Sequence, residues 1–320
     1  GGYLTQKWVP MVRNASSPGA VDDIVNHPHE GTPMTTILVT GTSGHLGRLV
    51  VESLLEHGTS PGDIVATARD ISAIADLADR GVTTRTADFA DPASLDAAFE
   101  GVDRILLVSG NEIGQRVAQH SNVIDAAKRA DVELLAYTSI PKADTSSLGL
   151  AVEHRATEQV LATSGVPYAL LRNGWYFENY TAQIPVQLEH GVVLGAAGDG
   201  KVSGASRADY AAAAAAVLVA DDQAGKIYEL GGDAAFTLAD YAAALAAASG
   251  REVVYQDLTS SDYAAALASN GVPQEFADLL ANSDRGVAAG DLFVDSGDLT
   301  NLIGRPTTTL ADAIAAALPA

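Results

Sequence analysis

The sequence has no cysteine and few basic residues, and both shortages restrict what the protein can do. Because none of the 320 residues is a cysteine, disulfides, thiolate metal sites and cysteine nucleophiles are excluded. Only 19 residues are basic against 40 acidic ones, which gives a formal net charge of −21. Such a charge repels nucleic acid and anionic membrane surfaces, so we expect neither as a partner.

Long apolar runs are also missing, although 47% of the residues are hydrophobic. The longest alanine stretch, at 211–216, lies in an amphipathic helical pattern and is far shorter than the roughly 20 residues that span a bilayer. Residues 1–33 contain no apolar signal-peptide core. Together with the lack of cysteine, these features predict a cytoplasmic protein with a full hydrophobic core.

Residues 1–33 differ in composition from the rest of the chain. They are rich in glycine and proline and show no sustained periodicity, and Met34 directly precedes the first strand-like run. We interpret them as an N-terminal extension. It is either an added or variable segment, or an arm that docks through Trp8 on this chain or on a neighbouring subunit of a homo-oligomer. His27 and His29 have metal-ligand spacing but lie in this irregular segment, so we expect no metal site.

Three glycines spaced three residues apart, Gly41, Gly44 and Gly47, follow an apolar run and precede a helical pattern. The order of strand, glycine turn and helix is typical of a dinucleotide-binding fingerprint. Gly41 permits the tight turn, Gly44 lets a pyrophosphate approach the backbone, and Gly47 lets the helix pack closely on the strand. The N–H groups and the positive dipole end of the helix then face the phosphate.

Short strand-like runs alternate with helical runs in the first half of the chain, which predicts a parallel sheet with helices on both faces. We predict an α/β fold in which residues 34–172 form a Rossmann-type, doubly wound, NADP-binding domain. After residue 173 the rhythm changes to helices joined by short strands. Residues 173–320 are therefore predicted to form a smaller mixed lobe, interleaved with the last sheet strands. The six strand-like runs of the first part are 36–40, 63–68, 82–87, 104–108, 133–138 and 168–171. The helical runs of the second part are 180–189, 207–220, 238–248, 261–268, 275–280 and 310–318.

The residue at the end of the second strand indicates whether NADPH or NADH is the preferred cofactor. Arg69 occupies the strand tip, and a planar guanidinium suits the 2′-phosphate of NADPH. Asp70 follows directly and can reach the ribose hydroxyls, which keeps NADH open. We predict NADP(H) as the preferred cofactor.

Polar and small residues follow four other strands, whose tips meet at one edge of a parallel sheet. Asp88 and Phe89 follow the third strand, where an aspartate can accept a hydrogen bond from the adenine amino group or simply form a turn. The tips of the later strands are expected to surround the middle of the cofactor, the nicotinamide and the substrate. Their residues are Ser109, Gly110 and Asn111, then Ser139, and finally Asn173, Gly174, Trp175 and Tyr176.

With Tyr137-Thr138-Ser139, Glu153-His154 and Asn173-Gly174-Trp175-Tyr176 added to the glycine motif, the sequence resembles the NmrA-like group of atypical short-chain dehydrogenase/reductases. It looks closest to the bacterial NAD(P)H:quinone oxidoreductases of type 2. Triphenylmethane reductases are similar but differ at Asn173-Gly174-Trp175. The resemblance covers the chain from about Met34 and implies hydride transfer from NADPH to a quinone. It also assigns a pyrophosphate loop made of Gly41, Thr42, Ser43, Gly44, His45 and Leu46, and it assigns cofactor contacts to Arg69, to 109–111 and to 173–178.

The Tyr-x-x-x-Lys pair common in the wider superfamily is missing. His154 falls near the lysine place and Leu150 near the tyrosine place. A ketone reductase needs an acid to protonate the forming alkoxide, whereas a reduced quinone oxygen is far less basic and can take its proton from solvent. The missing tyrosine therefore argues against ketoreductase chemistry. His154 either bonds the ribose, orients the substrate or is structural.

We therefore predict an NADPH-dependent reductase of quinones or similar flat conjugated acceptors. Catalysis would rest mainly on positioning, with Tyr176, His154 and Ser139 as candidate catalytic residues and Trp175 in the pocket wall. Two alternatives stay open. One is a redox-sensing regulator that binds NADP(H) without turnover, and the other is a reductase of triphenylmethane-type dyes.

Overall fold

The computed structural model describes residues 34–319, which fold around a seven-stranded sheet. Apolar runs such as Ile37-Leu38-Val39 are fully buried in it. The strands of the described residues are β1 (Ile37–Val39), β2 (Ile64–Ala68), β3 (Thr83–Thr86), β4 (Arg104–Leu107), β5 (Leu134–Ser139), β6 (Tyr168–Asn173), β7 (Val192–Gly195), β8 (Ile227–Leu230) and β9 (Val254–Asp257).

The main sheet has the strand order β3-β2-β1-β4-β5-β6-β8, and every neighbouring pair is parallel. In the centre, Val39 pairs with Ala66 on one side and with Leu106 on the other. The chain moves outward from β1 to β3 and then returns to β4 on the opposite side. The crevice between β1 and β4 is thus the topological switch point where such sheets bind ligands. This topology confirms the predicted Rossmann-type, doubly wound α/β fold.

Local signals set the helix boundaries in the first half. Asp91 caps its helix by accepting a hydrogen bond from the N–H of Ala93 at 3.1 Å, and Pro92 lies in the first turn. Both residue types are typical of helix starts. Gly165 ends the helix before β6 with a φ of +82°. The helices are α1 (His45–Glu56), α2 (Ala75–Asp79), α3 (Pro92–Phe99), α4 (Arg116–Arg129) and α5 (Ala151–Ser164).

The second half contains more helix, and its strands belong to two sheets. The strand β8 extends the main sheet beside β6, whereas β7 and β9 form a separate parallel pair. The helices are α6 (Glu178–Thr181), α7 (Ile184–His190), α8 (Arg207–Val219), α9 (Leu238–Ser249), α10 (Ser260–Ser269), α11 (Gln274–Ala288), α12 (Asp298–Ile303) and α13 (Leu310–Ala317).

The hydrophobic core has three main parts, two of which cover the faces of the main sheet. On one face, α1 packs against α8 through residues such as Val50 and Leu218. On the other face, α3, α4 and α5 contribute residues such as Phe99 and Val123. The third part, which includes Tyr241, lies between the helices around β7 and β9. The sheet is therefore held rigidly between layers, and the strand tips at its carboxyl edge keep fixed positions.

The predicted elements need four corrections. The helix predicted over 180–189 is instead two helices, because Pro185 lacks an N–H group and lies in the first turn of α7. The helix predicted over 275–280 continues to Ala288, and α12 was not predicted. In addition, β6 extends to Asn173, so the proposed domain boundary at 172/173 lies within the end of a strand. That division of the chain stays a prediction.

Residues 1–33, with their predicted docking arm and the histidine pair His27 and His29, lie outside the described residues. Within 34–319, no helix has both the length and the apolar composition that crossing a membrane requires.

Candidate active site

The chain turns sharply where β1 ends. The Thr40 hydroxyl donates to the carbonyl of Leu106 at 3.0 Å and accepts from the N–H of Val108 at 2.9 Å, which holds the ends of β1 and β4 together. Gly41 has a φ of +62°, a conformation that glycine adopts without strain. A Cβ atom on Gly47 would lie 2.5 Å from the carbonyl oxygen of Gly41. The turn and the close approach of α1 both require these glycines.

The N-terminus of α1 has no side-chain cap. Its N-cap residue is Gly44, and its first turn contains no acidic residue. In contrast, serine or threonine hydroxyls cap α8, α9, α10 and α13. The first N–H groups of a helix have no acceptor within the helix, so those of α1 are open to an anion. The exposed residues Ser43 and His45 flank this position. This arrangement fits a bound pyrophosphate.

Thr42 has a different environment from the rest of the predicted loop. Both its N–H group and its hydroxyl donate to the carbonyl of Thr67, each at 2.9 Å. Thr42 is fully buried, and it ties the loop to β2. Leu46 is also buried, in the core beneath α1. These two residues shape the loop, and its exposed backbone is what a phosphate can reach.

Arg69 lies directly after β2 and is 69% exposed. Its Nη1 is 3.1 Å from Oε1 of Glu112, and the other oxygen of Glu112 accepts from Gln119 Nε2 at 2.8 Å. Glu112 comes from the loop after β4. The guanidinium predicted to meet a 2′-phosphate therefore faces a carboxylate that the sequence analysis did not consider.

Asp88 and Phe89 lie after β3, at the same edge of the sheet. Oδ1 of Asp88 accepts from the N–H of Ala90 at 2.9 Å, as in the turn-aspartate alternative. The half-buried ring of Phe89 meets the His120 ring edge-on, with centroids 6.3 Å apart. Phe89 therefore offers an apolar edge next to the loop that follows β4.

That loop is held by residues of α4 that sequence reasoning missed. The N–H of Gly110 donates to Nε2 of His120 at 3.0 Å, and the carbonyl of Gly110 accepts from Nε of Arg116 at 2.5 Å. Burial, assisted by the charge of Arg116, lowers the pKa of His120 to about 4. His120 is therefore neutral and can accept this hydrogen bond. The sequence carries one signal of this role. His120 is a polar residue on the apolar face of α4, which continues at Val123 and Ile124.

A cavity of about 510 Å³ opens where β4, β5 and β6 end. Eight of the predicted site residues line it: Ser109, Asn111, Ser139, His154, Asn173, Gly174, Trp175 and Tyr176. The predicted phosphate loop, Arg69, Asp88, Phe89 and Gly110 lie at the same sheet edge but outside this lining. A dinucleotide that crosses the edge can thus have its phosphates at α1 and its reactive end in the cavity.

Asn173 has a buried side chain without a hydrogen-bond partner in the described residues. Its Oδ1 and Nδ2 are both inaccessible to solvent and unpaired, although unpaired buried polar atoms are costly. An amide offers one acceptor and two donors, so it complements a ligand with both functions. The carboxamide of a nicotinamide is such a ligand, and Asn173 therefore fits the cofactor end of the cavity.

The hydroxyl of Ser139, one of the predicted catalytic residues, is held by a hydrogen bond within the protein. Its hydroxyl donates to Oε1 of Glu158 at 2.6 Å. Glu158 also pairs with Arg172 at 2.7 Å, and Arg172 pairs with Glu229 at 2.8 Å. The Ser139 proton is thus committed to a buried ionic network that joins α5, β6 and β8, and Ser139 has no hydroxyl proton free for an acceptor.

Trp175 and Tyr176 are half-buried and border the cavity, as a loop position predicts. The Tyr176 ring meets Tyr210 edge-on at 5.4 Å, and the Arg207 guanidinium lies 5.0 Å from its centroid. The Trp175 carbonyl accepts from the N–H of Ala205 at 3.1 Å. These contacts hold both aromatic residues in place as a wall of the cavity.

His154 lies in the wall with a tyrosine behind it. Its Nδ1 is 2.7 Å from the hydroxyl of Tyr137, and its Nε2 is 3.5 Å from Arg116 Nη1. Burial and the charge of Arg116 lower the pKa of His154 to about 3, and burial raises that of Tyr137. Both groups are thus neutral near pH 7. Tyr137 does not line the cavity, so it does not replace the missing catalytic tyrosine.

The wall opposite the strand tips comes from α10 and α11, which the sequence analysis left without a function. Its lining includes one buried acid, Asp284, among mainly apolar residues. The sequence carries one signal of this wall. Asp284 is an acidic residue that lies three positions from each of the buried residues Ala281 and Val287, on one face of α11. The residues of this wall are Tyr263, Phe276, Leu279, Leu280, Ser283 and Asp284.

Comparison with known proteins places these features in a family. A family model described as NAD(P)H-binding matches residues 41–221. Quinone oxidoreductase 2 of Escherichia coli (strain K12) is 54% identical over 279 residues, which are 87% of this chain and 97% of that relative.

Two solved structures are also similar over nearly their whole length. NADPH-dependent quinone oxidoreductase from Escherichia coli, complexed with NADPH, matches with a TM-score of 0.85 at 53% identity, covering 87% of this chain and 98% of its own. Triphenylmethane reductase from Citrobacter sp., complexed with NADP(H), matches with a TM-score of 0.84 at 34% identity, covering 88% and 100%. The chain therefore belongs to the NAD(P)H-binding, NmrA-like family that its sequence motifs resemble.

Proposed function

We propose that this protein is an NADPH-dependent quinone reductase. The observation that carries the proposal is the cavity at the carboxyl edge of the sheet, whose lining combines Asn173, with its buried and unpaired amide, and the aromatic residues Trp175 and Tyr176. This cavity has the volume expected of a small-molecule site. The similarity to Escherichia coli quinone oxidoreductase 2 supports the same acceptor class.

The bound cofactor would supply a hydride, and the side chains of the chain would mainly bind and orient. The uncapped turn of α1 would hold the pyrophosphate, Arg69 the 2′-phosphate and Asn173 the carboxamide. Trp175 and Tyr176 would confine a flat acceptor against the reactive face, which is a contribution of proximity and orientation. We assign most of the cofactor binding to residues 34–172, with Asn173 at the boundary, and the acceptor side to residues 173–320.

The states of the cavity residues suit an acceptor that needs little acid catalysis at the cofactor end. Ser139 donates its proton to Glu158, and His154 is neutral and bonded to Tyr137. Neither of these two predicted catalytic residues therefore supplies an acid near the strand tips. Reduction of a ketone would need an acid there, so a quinone is the better fit.

Steady-state oxidation of NADPH with benzoquinone and with menadione tests the proposal. We expect turnover with both quinones and a clear preference for NADPH over NADH. Tight NADPH binding without turnover above background across several quinones would contradict it and favour the redox-sensing regulator.

A triphenylmethane-type dye is a second candidate acceptor, because the Citrobacter reductase matches over the whole described fold. The aromatic residues Trp175 and Tyr176 that line the cavity suit flat quinones and conjugated dyes alike. A substrate panel that compares kcat/KM for menadione with that for a cationic triphenylmethane dye separates the two.

The location and the oligomeric state of the enzyme are further proposals. We infer a cytoplasmic location from the cysteine-free sequence, which suits a reducing compartment, and cell fractionation tests it. The homo-oligomer that a docking arm would form is tested by light scattering of the chain with and without residues 1–33.

A further inference from the structure

The far wall of the cavity contains a buried carboxyl group without a cationic partner among the described residues. Asp284 of α11 is only 8% exposed. Its Oδ2 accepts from the N–H of Ala196 at 2.7 Å. This contact requires Gly195, because a Cβ atom there would lie 2.9 Å from the same oxygen. The backbone after β7 is thus close enough to bind one oxygen of the carboxyl, which also borders the cavity.

The balance of the groups around Asp284 favours its neutral form. Burial and, to a lesser extent, the negative charge of Asp257 at the end of β9 raise the pKa of Asp284 to about 6, against the opposing hydrogen bond from Ala196. The other titratable neighbours are the hydroxyls of Tyr180, Tyr255 and Tyr263, which carry no charge near neutral pH. A protonated carboxyl group has an O–H to donate.

Tyr180 supplies a second unused donor in the same cavity. Its hydroxyl is inaccessible to solvent and forms no hydrogen bond within the described part of the chain. Burial, and after it the charge of Asp284, raise the pKa of Tyr180 well above its ordinary value. Its ring is held by Phe236 and Tyr241, at centroid distances of 5.9 and 5.5 Å. The hydroxyl therefore has a fixed position and lacks only an acceptor.

We propose that Asp284 and Tyr180 form the hydrogen-bonding end of the acceptor pocket and donate to the quinone oxygen farther from the cofactor. This proposal rests on the proposed function. The two groups lie on α11 and α6 and line the same cavity as Asn173. A quinone has two carbonyl oxygens at opposite ends of one ring. Donors at the far end stabilise the negative charge that reaches that oxygen as the ring is reduced.

The ionisation of Asp284 makes the proposal measurable through the pH profile of quinone reduction. Below pH 6 the neutral carboxyl donates, and above it the carboxylate repels the developing charge. We expect kcat/KM for benzoquinone to fall by about tenfold per unit well above that pKa. The profile of kcat should fall at higher pH, because a bound quinone removes further water from the carboxyl.

Two substitutions of Asp284 show whether its carboxyl group donates a hydrogen bond to the acceptor or only stabilises the structure. In Asp284→Asn, the amide still accepts from Ala196 and still donates, so kcat/KM should stay high and lose its dependence on pH in this range. In Asp284→Leu, the donor is lost, and kcat/KM at pH 5.5 should fall by about tenfold. The proposal is overturned if Asp284→Asn keeps the fall with pH, or if Asp284→Leu leaves the low-pH rate unchanged.

Asp257→Asn is the matched control. The carboxylate of Asp257 binds the same loop, at Gly198 N (2.9 Å), but it is exposed and does not line the cavity. This variant should keep the pH-dependent fall, displaced slightly to lower pH. Tyr180→Phe should raise the KM for benzoquinone several-fold without changing the Kd for NADPH, and an unchanged KM would remove Tyr180 from the proposal.

Failure of the inference can be told from failure of the proposed function. If the unaltered protein binds NADPH but reduces no quinone at any pH, the proposed function fails, and the pocket assignment fails with it. If it reduces quinones with a flat pH profile that Asp284→Leu does not change, only the assignment of Asp284 fails. Thermal unfolding and NADPH titration of each variant show whether the fold and the cofactor site are intact.

Discussion

Replacing Glu112 with glutamine should strengthen NADPH binding and leave NADH binding unchanged. Glu112 lies 3.1 Å from Arg69, and Gln119 holds it there. A 2′-phosphate bound by Arg69 would therefore lie within about 6 Å of the Glu112 carboxylate. In water two unit charges at that distance repel by about 0.7 kcal/mol, and a dianionic phosphate by about 1.4 kcal/mol.

These energies correspond to about three- to tenfold tighter NADPH binding in Glu112→Gln at low ionic strength. Glutamine keeps the size of the side chain. Its amide oxygen can still accept from Arg69, and its NH2 group can donate to the oxygen of Gln119 once that amide is turned over, so the geometry of the loop is retained. NADH has no 2′-phosphate and should bind with an unchanged Kd. Raising the salt concentration should shrink the difference, because exposed charges are screened within about 10 Å at 0.1 M.

Fluorescence titration of both nucleotides against three variants measures the effect. Arg69→Ala serves as the reference. It should weaken NADPH binding by about 10- to 150-fold, because a hydrogen bond to a charged group contributes about 1.5–3 kcal/mol. Glu133→Gln is the matched control, since it removes an exposed charge paired with an arginine at the opposite edge of the sheet. Equal changes for NADPH and NADH in Glu112→Gln, or weaker NADPH binding, would refute the reasoning.

Three further predictions concern the scaffold. Gly47→Ala should lower the free energy of unfolding by about 1–3 kcal/mol and weaken NADPH binding, because its Cβ would press on the Gly41 carbonyl; urea unfolding and nucleotide titration measure both. The low pKa values of His154 and His120 mean that the unfolded chain takes up protons below about pH 6.5 while the folded chain does not. Stability should therefore fall from that pH toward pH 4 by up to about 1.4 kcal/mol per unit for each histidine, and unfolding curves of His154→Asn should show a shallower fall. Arg172→Met should lower the free energy of unfolding by about 3–5 kcal/mol, because buried carboxylates lose their partner; a loss below 1 kcal/mol would contradict a buried network.

The sheet and its functional edge were predictable because the determinants are local. Residues 37–39 form a β-branched and apolar run, and Gly41, Gly44 and Gly47 follow at fixed spacing, so strand, turn and helix can be recognised without long-range information. The strand tips carrying Ser109, Ser139 and Asn173 follow from the alternation of strands and helices, since the carboxyl ends of parallel strands share one edge.

The partners of those residues were not predictable, because they come from distant parts of the chain. Glu112 meets Arg69 only after β1 and β4 are paired, and Glu158 captures Ser139 through the packing of α5 on the sheet. Tyr137 reaches His154 from a neighbouring strand. Sequence spacing locates a candidate residue, but contacts of this kind decide whether that residue has a proton that it can donate to a substrate.

The far wall escaped prediction for a related reason. Asp284 lies on a helix whose predicted span ended at Leu280, so its position opposite the strand tips had no basis in local pattern. The break at Pro185 shows the converse case, where a local signal was present and a periodic run outweighed it.

The open first turn of α1 also has a consequence for the lifetime of the protein in a cell. Four later helices close their first turn with their own serine or threonine, whereas the first turn of α1 has no side-chain cap and would be closed by a ligand. A ligand that binds only the folded chain adds stability that grows with its concentration, by about 2.7 kcal/mol at a hundred times its Kd. The unfolded fraction exposed to proteases should thus rise when the supply of the dinucleotide falls, because its oxidised and reduced forms carry the same pyrophosphate. The amount of enzyme would then follow the total dinucleotide pool, without any separate regulator.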